Sequence, residues 1–248
     1  NIPSDAFPNN MTGIIGGPPC QAWSEGGKQL GFEDPRGQLF LEYIRIVNLK
    51  KPKFFVIENV QGILEDKHKQ SLTFIIESLR SIGYSISYQL LNAGDFRIPQ
   101  DRLRVFFVGI RNDLQSTFDF PNSMPGKKVT LREAIGDIIE KPRFFNEEMV
   151  MSEHPTRKNH DVYTGSYDAK YMARNRVRTW NEQSFTIQAQ ARNEPQHPQA
   201  PKMTYVSPNV RIFAKGYEHL YRRLSVRECA RIQTFPDSFV FIYDDRKD

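Results

Sequence analysis

Cysteine is scarce in this chain of 248 residues: there are only Cys20 and Cys229, and no C-x-x-C pair. That excludes a disulfide framework and a thiolate zinc site. It leaves no metal to expect and suits a reducing cytosol, so a bacterial cytoplasmic location is the expectation. Long apolar runs are missing as well. None nears the ~20 residues that span a bilayer, and no membrane association is expected. No signal peptide opens the chain, whose first residue is Asn1 rather than Met, so a natural start is not expected there. Internal repeats and low-complexity tracts are also absent.

What is present is a foldable composition. Hydrophobic residues make up 39% of the chain, enough for one large domain and a small one. The net charge is +5, unevenly spread: residues 141–231 hold 16 Lys/Arg against 9 Asp/Glu, a balance of +7, so the remainder sums to −2. A basic segment suits a polyanion such as DNA, and equally a solubilising surface.

Residues 13–111 alternate strand and helix patterns. Gly13-Ile14-Ile15 reads as a short buried strand that stops at Gly16-Gly17-Pro18-Pro19. A helix is predicted over 38–49, with Leu39, Phe40, Tyr43, Ile44 and Val47 on one face. Strands are predicted over 53–57, 84–91 and 105–108, and a helix over 70–82. This alternation predicts an α/β fold with a doubly wound, mostly parallel sheet. Thr130 and Ser225 are each followed three residues later by Glu133 and Glu228, the capping-box pattern of a helix start. Residues 141–219, rich in Asn, Gln, Pro and Arg, read as a small irregular second domain with strand-like pieces such as 184–187. The expected layout is 1–140, 141–219 and a bridging segment 220–248.

Three strand-flanking groups carry the chemistry. Cys20 follows a strand in Gly16-Gly17-Pro18-Pro19-Cys20-Gln21, and ligands of open α/β sheets bind at such strand ends. A thiol there serves as a nucleophile if its pKa is lowered; buried and inert is the commoner state of a lone cysteine. Glu58 ends the strand before Asn59-Val60 and is either a proton-handling group or a surface acid. Arg102 and Arg104, in Gln100-Asp101-Arg102-Leu103-Arg104, either hold a phosphate or a ring carbonyl oxygen or are solvated. The five histidines, with no local partner pattern, read as loop or surface residues, and Cys229 as structural.

In their order and spacing these motifs resemble the fourth, sixth and eighth motifs of the DNA cytosine-5 methyltransferases. Asp34-Pro35-Arg36-Gly37-Gln38-Leu39-Phe40 resembles the fifth, and the run from Arg222 to Pro236 the ninth. Further likeness, through 172–178 and 197–201, is to the members that modify GGCC. The resemblance implies a Rossmann-like fold, S-adenosylmethionine as methyl donor, and double-stranded DNA with a flipped cytosine as partner. It implies membership of a nucleoid-associated restriction-modification system. Cys20 becomes the nucleophile, Glu58 and Arg104 grip the cytosine ring, and Arg102 braces the cysteine loop. Pro18 and Leu39 line the cofactor pocket. Gln21, Trp23 and Ser24 sit in a DNA-closing loop, and Arg174, Arg176, Arg178 and Arg192 belong to the DNA-binding surface, where Arg174, Arg176 and Arg192 read bases. The family's Phe-x-Gly-x-Gly turn and its final Gly-Asn-Ala-Val-Pro segment do not occur. A fragment, or a second polypeptide supplying those parts, is therefore expected, and a DNA-binding subunit without activity of its own is the alternative.

Overall fold

The computed structural model describes Pro3 and residues 6–19, 39–145 and 157–242. Within them the chain forms two compact units. The first comprises Asn1–Asn92 and Leu103–Ser123, the second Ala93–Arg102 and Met124–Asp248. This division departs from the expected boundaries at 140 and 219: residues 93–102 leave the first unit and 124–140 join the second.

In the first unit, β1 (Gly13–Gly16), β2 (Phe54–Val60), β3 (Tyr84–Asn92) and β4 (Leu103–Arg111) form one sheet in the order β1-β2-β4-β3. β1 and β2 pair in parallel across helix α1 (Leu39–Lys50), as a parallel neighbour needs a crossover. Helix α2 (Lys69–Ser81) then carries the chain to β3, which runs in the same sense. β4 breaks the series, because it lies antiparallel to both β2 and β3. The expectation of a mostly parallel sheet is corrected to a mixed one. The cause is the link between β3 and β4, ten residues with no α-helix, which returns the chain beside β3 reversed.

The helices pack as their periodicity dictates. Phe40, Ile44 and Val47 of α1 and Ile75 and Leu79 of α2 join Phe55, Ile57, Val105 and Phe107 in one core. Burial of such side chains contributes roughly 1.5–3 kcal/mol each. Leu39, expected on the same face of α1, is instead 46% exposed.

The second unit is built differently. Helices α3 (Leu131–Ile135) and α5 (Val226–Ile232) both start at complete capping boxes, Thr130/Glu133 and Ser225/Glu228. They share an apolar cluster of Leu131, Ile135, Ile187, Leu224, Cys229 and Ile232. Around them lie β5 (Arg143–Phe145) paired with β6 (Asp161–Tyr163), the short helix α4 (Ala169–Met172), and a hairpin of β7 (Thr204–Ser207) and β8 (Val210–Ile212). Residues 184–187, read as strand-like, join no sheet; Ser184 makes an isolated bridge to Gln100. Among the described residues no helix is long and apolar enough to cross a membrane.

Candidate active site and nucleic-acid interface

In the first unit the site is built at the end of β2. Successive side chains of a strand point to opposite faces, so Glu58 and Asn59 do different things. Glu58 lies diagonally across from Arg104, which is itself opposite Val60 on β4. The Arg104 Nε donates to the Glu58 carboxylate at 2.7 Å, and both side chains retain solvent access. Arg104 Nη1 also donates to the Leu103 carbonyl at 2.7 Å, which fixes the guanidinium plane.

Asn59 is fully buried. Its Nδ2 donates to the Pro18 carbonyl at 3.2 Å, and its Oδ1 accepts from the Val60 amide at 2.9 Å. It thereby ties the loop after β1 to the end of β2. Gly17 makes the close approach possible, since a Cβ there would lie 3.3 Å from Glu58 Oε2. The buried Pro18 is thus held beside the Glu58 carboxylate. Cys20, Gln21, Trp23 and Ser24 lie outside the described residues. Asn59 carries no role in the sequence motifs. Its signal is nonetheless present: Phe55, Ile57 and Asn59 occupy the inward face of β2, and an amide on an otherwise apolar face needs a partner.

In the second unit, Pro99 to Arg102 runs alongside 184–187. The Asp101 amide donates to the Ser184 carbonyl at 2.8 Å, and the Ser184 amide to the Pro99 carbonyl at 2.9 Å. Buried Gln100 accepts from the Ile187 amide at 3.0 Å. Arg102 Nη1 reaches the Ile187 carbonyl at 3.4 Å.

The four arginines expected at the DNA-binding surface fall into two kinds. Arg174 and Arg192 are exposed. Arg174 borders a cavity of about 160 Å³ with Asp101, Asn175, Phe185, Gln188 and Pro195. Arg176 is buried; its Nε donates to the Tyr171 carbonyl at 3.0 Å, and its guanidinium lies 4.6 Å from the Tyr171 ring centre. Arg178 pairs with Asp101 at 3.2 Å and Glu182 at 3.3 Å and lies over Phe185.

Buried arginines also organise the loops. Arg223 lies 4.0 Å from the Tyr167 ring centre and donates to the carbonyls of Arg192 (3.1 Å), Gly165 (2.8 Å) and Ser166 (2.9 Å). It therefore sets the backbone that presents Arg192. Arg227 donates to the carbonyls of Lys158, Pro236 and Phe239. Glu228 takes two bonds from Arg222, at 2.8 and 2.7 Å, and one from the Ser225 amide at 2.8 Å. Burial alone would raise the Glu228 pKa; these donors hold it at about 2. His197 stands 3.5 Å from Glu228, and burial pushes its pKa down to about 4 despite that carboxylate. His160 and His197 lie in loops, as expected, and His219 is exposed, but His68, His160 and His197 are all buried rather than at the surface. Cys229 is buried too, its thiol 3.3 Å from the Glu194 carboxylate. Burial raises Glu194 to about 7 and the thiol well above its ordinary value.

A sheet flanked by helices, with a carboxylate–guanidinium pair at the strand ends, defines a methyltransferase-type α/β fold. The methyltransferase EhMeth of Entamoeba histolytica superposes with a TM-score of 0.58 at 16% identity, over 96% of this chain and 69% of that one. The family model of the C-5 cytosine-specific DNA methylases matches residues 1–248, and the chain belongs to that family. The Type II methyltransferase M.MthTI of Methanothermobacter thermautotrophicus is 49% identical over 94% of this chain and 71% of its own length. M.NgoPII of Neisseria gonorrhoeae is 43% identical over 100% of this chain and 73% of its own length.

Proposed function

We propose that the protein methylates carbon 5 of cytosine in double-stranded DNA at GGCC, within a restriction-modification system. The observation that carries this reading is the Glu58–Arg104 pair at 2.7 Å, set beside a loop that Asn59 holds by the Pro18 carbonyl. Cys20 follows that tether by two residues. The target base is extruded from the duplex, at a cost of a few kcal/mol of stacking energy. The Cys20 thiolate bonds to ring carbon 6, and the electron pair moves toward carbon 5. Glu58 accepts from the exocyclic amine and shares a proton with ring nitrogen 3, while Arg104 donates to the ring carbonyl oxygen. After methylation a base takes the carbon 5 proton, and the returning electron pair expels the thiolate.

S-adenosylmethionine is the cofactor that supplies the activated methyl group. Pro18, buried and fixed, and Leu39, exposed at the head of α1, are described residues that would line its apolar faces. An exposed leucine at a helix start, turned out of the core that its periodicity predicts, fits such a contact. Arg102, which the family resemblance sets against the cysteine loop, also reaches the Ile187 carbonyl and so supports the segment 184–187.

The reading of GGCC falls to Arg174 and Arg192, because guanine offers two acceptors that match a guanidinium. Arg176, donating to the Tyr171 carbonyl, and Arg178, paired with Asp101 and Glu182, support the surface rather than read bases. Incubation with duplex DNA and S-adenosylmethionine, followed by bisulfite sequencing, should show protected cytosines confined to GGCC. Binding without protection would leave a DNA-binding subunit. Arg192→Ala should relax one base position; a loss equal on all sequences would remove its base-reading role.

A further inference from the structure

The hairpin of β7 and β8 has a surface that the proposed base-reading arginines do not use. From Pro195 to Tyr217 the chain carries Lys202, Arg211 and Lys215 and no acidic residue. Tyr205, Val206, Val210 and Ile212 are 60%, 54%, 43% and 49% exposed, an unusual amount of apolar surface for one short ribbon. Tyr205 and Arg211 are cross-strand partners, with the guanidinium 5.2 Å from the ring centre. Arg211 is half-buried: its Nε is covered without a hydrogen-bond partner among the described residues, so a ligand is met through the outer end of its guanidinium. Lys215 is exposed.

The base of the ribbon, by contrast, is fixed. Phe213 stacks on Tyr221 at 4.2 Å, and the Ala214 amide donates to the Tyr221 hydroxyl at 3.0 Å. The Met203 amide, just before β7, donates to Asn175 Oδ1 at 3.0 Å. Asn175 is the neighbour of Arg174, and β8 packs against α4. The ribbon is therefore continuous with the segment that presents Arg174.

We infer that the β7–β8 hairpin is a second DNA-binding element, gripping the sugar–phosphate backbone of the duplex beside the recognition sequence. Arg211 and Lys215 meet phosphates, and the exposed apolar side chains lie on the sugars. A cationic ribbon with no acid suits a polyanion rather than a protein surface of mixed charge. Phosphate binding of this kind adds affinity and orientation, not base choice. The inference rests on duplex DNA being the substrate.

The test compares the protein with its Arg211→Gln/Lys215→Gln variant. Binding is measured by anisotropy over a salt series, on one duplex that just covers the recognition sequence and one extended by about a helical turn on each side. The slope of log affinity against log salt on the long duplex should fall by about 0.9 for each phosphate no longer neutralised, so by about 2 in the double variant. The short duplex should change little, and the methylated sequence not at all. An unchanged slope on the long duplex overturns the inference while leaving the proposed function standing. A change in the methylated sequence also overturns it, by making the ribbon a base reader. No binding of any duplex by the unaltered protein overturns both. A second measurement leaves the charges in place: an iron chelate attached through Pro208→Cys at the hairpin turn should cleave DNA outside the recognition sequence. Cleavage inside it, or none, contradicts the placement.

Discussion

The two units reach stability by opposite means. The first covers a regular sheet with helices, and its main core cluster is aliphatic and aromatic, from Phe40 to Phe107, with Asn59 as a buried polar exception. Backbone groups there are satisfied mainly by the strand ladder, with a few neutral side chains such as Tyr43, Asn59 and Tyr84 serving the rest. The second has short strands and long irregular stretches, so many carbonyls have no ladder to join, and a buried carbonyl without a donor is costly. Buried guanidiniums meet that need: Arg176, Arg223 and Arg227 together donate to carbonyls from 158 to 239. Part of the basic charge of this segment is therefore internal scaffolding. Only exposed members such as Arg174, Arg192 and Lys215 remain to meet a polyanion.

This contrast can be broken from either side. In the first unit the proposed catalytic pair sits on a finished sheet, so Glu58→Gln should lower methyl transfer by about 10²–10⁴-fold with little change in the unfolding midpoint. Single-turnover assays beside urea denaturation check this; a matching loss of stability would show that Glu58 is part of the fold instead. In the second unit the charged groups are the fold. Arg227→Ala strands several buried carbonyls and should destabilise by about 3–5 kcal/mol. Hydrogen exchange should then rise through α5 and the loops from 157 to 160 while β2 and β4 stay protected. Equal opening of both units would end the distinction between them.

A smaller effect sharpens the comparison through pH. Burial raises Glu194 to about 7 from its usual 4.5. A raised acid contributes its full stability below the unfolded value and loses it as pH rises through the folded one. Glu194→Gln has no such loss. The stability gap between variant and parent should therefore widen in the variant's favour between pH 4.5 and about 7, by up to about 3 kcal/mol. His197, depressed to about 4, acts in the other direction over a similar range, so the difference between the two proteins is the quantity to follow.

Much of the first unit was legible because its pattern is local. Periodicity placed α1, α2 and the strands; in the second unit the same local legibility held for Glu133 and Glu228, three positions after Thr130 and Ser225, which marked real capping boxes. The reversal of β4 was not legible, since strand direction depends on the path of the connection and not on the residues of the strand. In the second unit the positions of the arginines were plain, but their burial was not. A guanidinium at the surface and one capping carbonyls look alike in sequence; only the tertiary course of 163–166 and 192 shows which carbonyls Arg223 meets. Asn59 was the readable omission, an amide on an inward strand position.

The excursion of Ala93–Arg102 into the second unit bears on how such proteins can exchange specificity. The chain passes from one unit to the other three times, after Asn92, Arg102 and Ser123. A chimera that transplants a recognition region from a relative as one continuous block would leave the host's 99–102 facing a foreign 184–187. Recombination that respects the molecule must carry two pieces, or else choose donors in which both sides of that short ladder agree. If the second unit reads the target as proposed, its specificity is inherited as a matched pair of segments.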